Sequence, residues 1–70
     1  MKLHVPDMTC NHCVASITKA VQSLSADAQV ICNLQAHEVD IPNLVEVSPE
    51  KVVNALDDIG FEATVIEAEA

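Results

Sequence analysis

Cys10-Asn11-His12-Cys13 sets two thiols three residues apart. At that spacing one sulfur can sit on a loop and the other in the first turn of a helix, so that both converge. Unpaired N–H groups and the helix dipole lower thiol pKa at such a junction. The thiolate is the form that binds metal, and two soft anionic sulfurs favour Cu(I) and similar ions. Two ligands leave room for a third thiolate, which permits transfer by ligand exchange without release of free ion. Other readings stay open at this point. A C-x-x-C at a helix start also serves thiol-disulfide oxidoreductases. Against that, the chain has 70 residues, short for the usual thioredoxin sheet, and no Trp precedes Cys10. A closed structural zinc site needs about four ligands and would have to recruit Cys32 and a histidine. The plainest reading is an inert pair of buried thiols.

The elements that must position the pair follow from periodicity. Lys2-Leu3-His4-Val5 alternates as a short strand, stopped by Pro6-Asp7, and residues 7 to 12 read as a loop. Val14, Ile17, Val21 and Leu24 then recur at helical spacing, and Ser25-Ala26-Asp27 ends that helix. Val30, Cys32 and Leu34 share one face of a strand, and Val39 and Ile41 share one face of the next, after a turn near Gln35-Ala36-His37. Asn43 suggests a loop, while 44–47 could extend a strand. Ser48-Pro49-Glu50 opens a second helix with a stripe of Val52, Leu56 and Ile59, closed by Gly60. Ala63, Val65 and Glu67 alternate in a last strand. The order β-α-β-β-α-β predicts the α+β split arrangement: a four-stranded antiparallel sheet with two helices on one face and a solvated second face.

Charge narrows the partners. Lys2 and Lys19 balance Asp7 and Asp27 in the first half, so the second half carries the entire net charge of −8. With no arginine and a single aromatic residue, phosphate neutralisation and base stacking both lack their residues, which excludes nucleic acid. Membrane insertion is not expected either, because no apolar run approaches the roughly 20 residues of a span. The acidic half reads as a solvated face or as a docking surface for a basic domain. Three cysteines argue against a complete disulfide framework. No secretory signal is visible, so a reducing cytoplasm is expected.

The run Val5-Pro6-Asp7-Met8-Thr9-Cys10-Asn11-His12-Cys13 with its following helix, the Val30-Cys32-Leu34 strand and the Gly60-Phe61-Glu62-Ala63 turn resemble the heavy-metal-associated domain over nearly the whole chain. That family includes soluble bacterial copper chaperones and the N-terminal domains of copper-transporting P-type ATPases. The resemblance implies one domain over 1–70 with the ferredoxin-like βαββαβ fold. It implies Cu(I) held by Cys10 and Cys13 and passed to a metal-transporting P-type ATPase or another C-x-x-C acceptor, with no catalytic residue and no enzymatic activity. It also implies a monomer when apo, with a metal-bridged dimer as the alternative on loading. A regulatory module for Zn(II), Cd(II) or Hg(II), or part of a metal pump, is the alternative within the family.

The loop-support residues follow from the same match. Met8 corresponds to a methionine tucked beneath the loop, with thioether ligation as the alternative. Phe61 corresponds to a loop position facing the metal, often Tyr in bacterial chaperones and Phe in ATPase domains. Asp7 departs from the commoner glycine, and its hard oxygen leans toward a divalent ion. Thr9 replaces the Asp of zinc-type members and leans back to Cu(I). His12 reads as exposed, with intermolecular ligation as the alternative. His4 reads as a surface strand residue and His37 as a solvated turn residue. Lys19 reads as part of a solvated helix face, with partner contact as the alternative. Cys32, inward with Val30 and Leu34, reads as a small core hydrophobe, with a third ligand as the alternative.

Overall fold

The computed structural model describes residues 1–42, 44 and 47–67, with Glu67 described by its backbone alone. The strands β1 (Lys2–His4), β2 (Ile31–Asn33), β3 (Glu38–Asp40) and β4 (Thr64–Glu67) alternate with the helices α1 (Asn11–Leu24) and α2 (Pro49–Asp58) in the expected order. The strands form one sheet in the order β2-β3-β1-β4, and every neighbouring pair is antiparallel.

Register explains which side chains face the helices. Cys32 pairs with Val39, Val39 with Leu3, and Leu3 with Val65, so one row of apolar residues crosses the whole sheet. Leu3 and Val39 at its centre are fully buried, and Val65 and Cys32 at its edges are half-buried. Ile17 and Val21 of α1 and Val52 and Leu56 of α2 close over this row. Each helical pair is spaced four residues apart, which puts both members on one helix face. Cys32 thus lies in the inner row, as its period-two position predicts.

Both helices have ends that the sequence marks. α2 starts at Pro49 after the extended residue Ser48, whose hydroxyl makes no capping hydrogen bond, contrary to its usual role. At the other end Gly60 has φ +92°, its N–H donates to Asp57 C=O at 2.9 Å, and Phe61 N–H donates to Leu56 C=O at 2.8 Å. That double bond pattern around a left-handed glycine is the Schellman closure.

Several expectations shift at element boundaries. Asn11 and His12 belong to α1 rather than to the preceding loop. β1 is bounded at His4, yet the β1–β3 register runs one step further, with Val5 N–H donating to the His37 carbonyl at 2.7 Å, before Pro6, which has no N–H, ends the pairing. Leu24 and Ile59 continue the apolar stripes but lie at helix ends, where the core has run out, and are 38% and 43% exposed. The outer sheet face is not uniformly polar: Ile31 and Ile66, on opposite edge strands, are more than half exposed. Of the 44–47 stretch, Leu44 is buried outside any strand, and Val45 and Glu46 lie outside the described residues, as does Asn43.

Candidate metal centre

The chain leaves β1 at Val5 and makes a tight turn in which Met8 N–H donates to Val5 C=O at 3.1 Å. It then runs extended through Cys10, at φ −152° and ψ 171°, which is the N-cap of α1. The Cys10 carbonyl accepts the first helical bond, from Val14 N–H at 3.2 Å. Cys10 therefore stands just outside the helix and Cys13 inside its first turn. No side chain caps this end. The partial positive charge of the helix start is left to the two sulfurs.

The sulfurs are 3.4 Å apart, both cysteines are free, and Cys10 is exposed while Cys13 is half-buried. As a thiol, Cys13 donates weakly to Asp7 C=O at 3.8 Å. Its pKa is lowered, chiefly by the Thr9 N–H bonding to the sulfur and next by the Cys10 thiol, with burial a lesser opposing effect. Cys32 goes the other way: burial raises its thiol pKa against a smaller opposing bond from the Thr18 hydroxyl. A lowered pKa enlarges the thiolate fraction near neutrality, and that reactivity is lost as pH falls through the lowered value. Limited iodoacetamide labelling of the apo protein at pH 7, mapped by mass spectrometry, is expected to modify Cys13 well before Cys32. Equal labelling of the two would contradict this assignment.

The remaining sequence-selected residues divide clearly. Met8 is fully buried, whereas Thr9 and His12 are exposed beside the pair. Phe61 is half-buried against the core, with its backbone held by the α2 closure. Lys19 is exposed on α1. Among the described residues, no three His, Cys, Asp or Glu side chains converge as a ligand cluster, and Cys32 sits in the sheet rather than with the pair. No described helix is long and apolar enough to cross a membrane.

One expectation fails here. His37 is not a solvated turn residue: it is half-buried, and its ring Nδ1 lies 3.0 Å from the Met8 carbonyl. Sequence pattern gives little warning, because the contact joins residues 29 positions apart. The available signal was a histidine where a hairpin turn calls for positive φ, a conformation His tolerates better than most. Its ring also meets that of His4 edge-on, at a centroid distance of 6.4 Å.

Comparison with known proteins fits this geometry. Residues 2–62 match the model of the heavy-metal-associated domain. The copper chaperone CopZ of Bacillus subtilis is 33% identical over 61 residues, covering 86% of this chain and 88% of that protein. Copper-transporting ATPase 2 of Homo sapiens is 37% identical over 68 residues, which cover 93% of this chain but only 4% of the ATPase. Among solved structures, the copper chaperone Atx1 from Synechocystis superposes with a TM-score of 0.84 at 31% identity, covering 91% of this chain and 98% of Atx1. A two-thiol tip on a four-stranded sheet backed by two helices, matched in sequence along nearly its full length, makes this chain a member of the heavy-metal-associated domain family.

Proposed function

We propose that residues 1–70 act as a single metal-carrying domain that binds one Cu(I) between the thiolates of Cys10 and Cys13. The domain then hands the ion by ligand exchange to a second C-x-x-C site, such as that of a copper-transporting P-type ATPase. The observation that carries the reading is the sulfur pair itself, free, 3.4 Å apart and straddling the start of α1. The likeness to copper chaperones that this chain covers almost end to end supports it. The same reading makes the protein a cytoplasmic carrier rather than an enzyme, monomeric when apo.

Geometry shapes the step. Metal–sulfur bonds of about 2.3 Å span about 4.6 Å when collinear. The pair must therefore open by roughly 1 Å from its 3.4 Å separation to hold an ion in near-linear geometry. An incoming thiolate reaches the metal from the exposed Cys10 side, a three-sulfur intermediate forms, and the ion passes on as the original bonds break. Thr9 and His12 border that open side. Met8 packs beneath it, and Phe61 closes the loop face in the manner the resemblance implies. Charge complementarity to the acidic second half would govern encounter rate more than affinity.

The deciding test is anaerobic competition against a Cu(I) chelator with Zn(II) titrated in parallel. One tightly bound Cu(I) per chain, held through sulfur neighbours visible by X-ray absorption, is the expected result. Tight Zn(II) with weak Cu(I) would move the assignment to the divalent reading.

A further inference from the structure

His37 is gripped at two points by the segment that carries the cysteine pair. Its backbone carbonyl accepts Val5 N–H at 2.7 Å, and its ring Nδ1 sits 3.0 Å from Met8 C=O. Val5 and Met8 are the two ends of the turn closed by the 3.1 Å Met8–Val5 bond. A carbonyl only accepts, so Nδ1 must carry the proton. The residue that does this has φ +55°, the only positive value among the described non-glycine residues.

The peptide unit between Met8 and Thr9 is trans and planar, so its C=O and N–H point in opposite directions. Its carbonyl faces the His37 ring, and its N–H, on the opposite edge, lies on the Cys13 side, where it lowers that thiol's pKa. We infer that His37 is a positioning residue for metal transfer: its ring fixes the Met8–Thr9 peptide and so holds the Cys10 side of the pair in place. The β2–β3 turn thereby becomes part of the metal loop's support, although no residue of that turn touches either sulfur among the described contacts. The inference rests on the two-thiolate reading given above for its functional half, and on geometry alone for its structural half.

Two substitutions separate backbone from ring. His37→Gly keeps the positive φ without strain and removes the ring. His37→Asn keeps tolerance for positive φ and places an amide N–H near the position of Nδ1. The full chain is measured as apo protein, by amide hydrogen exchange and urea unfolding, and Cu(I)-loaded, by the rate of release to bathocuproine disulfonate. In His37→Gly the Thr9 amide is expected to exchange faster, and Cu(I) release to quicken about fivefold, the equivalent of one neutral hydrogen bond, with the urea midpoint falling by no more than that one bond accounts for. His37→Asn should return both to within about twofold of the native protein. Unchanged Thr9 exchange in His37→Gly, or failure of His37→Asn to recover it, overturns the inference. If the native chain held no Cu(I), the carrier reading would fail while the exchange measurements still judged His37.

Discussion

Cys13→Ser is expected to lower Cu(I) affinity by more than about 100-fold, since even the partners of metal ligands typically contribute 10- to 100-fold. A hydroxyl is a hard, weakly acidic donor, and the remaining Cys10 thiolate cannot hold a soft ion alone with comparable strength. The loss should appear in chelator competition with the far-UV spectrum unchanged, because Cys13 packs only at the edge of the core. Cys32→Ser is the matched control. It places a hydroxyl in the inner row of the sheet, next to Val39. Its cost is expected in stability, about 1 kcal/mol, with Cu(I) affinity retained. If Cys32→Ser abolished binding in a folded protein, the strand register that puts Cys32 in the sheet would be wrong.

Met8→Ala is expected to have the largest effect on stability. The side chain is fully buried in the core cluster of the described residues. Truncating a buried Met to Ala typically costs about 2–5 kcal/mol. A 70-residue chain has only about 3–10 kcal/mol in total, so this variant should be partly unfolded at 25 °C. Met8→Leu conserves volume and is expected to cost under about 1.5 kcal/mol. Urea unfolding orders the three proteins. The leucine variant also decides the role of the sulfur: packing predicts Cu(I) affinity within about twofold of native, while a tenfold loss with the fold intact would make the thioether a ligand.

What the sequence made legible is local periodicity and local chemistry. Leu3, Cys32, Val39 and Val65 could be placed on one face because a strand repeats every two residues, and the register joins them in one row. Ile17 with Val21 and Val52 with Leu56 followed from helical spacing, and Gly60 marked its helix end by chain stereochemistry alone. The stripe rule overreached at Leu24 and Ile59 because periodicity says which face a residue takes, not whether a neighbour still covers that face at the end of the helix. The start of α1 was set too late because its first turn carries no apolar residue before Cys13 to reveal the period. His37 was misread for a different reason. Its surroundings are created when β3 pairs with β1 and brings the turn alongside Met8, and nothing near His37 in the chain encodes that contact.

The boundary of α1 falls between the two sulfurs, and this gives them unequal freedom. Cys13 sits in the first helical turn, whereas Cys10 hangs from the extended stretch before it, whose Met8 carbonyl lies against the His37 ring. On the carrier reading proposed above, the ion would ride between a post set in the helix and one moored to the β2–β3 turn. Loosening that mooring would then be the act that frees one sulfur ahead of the other.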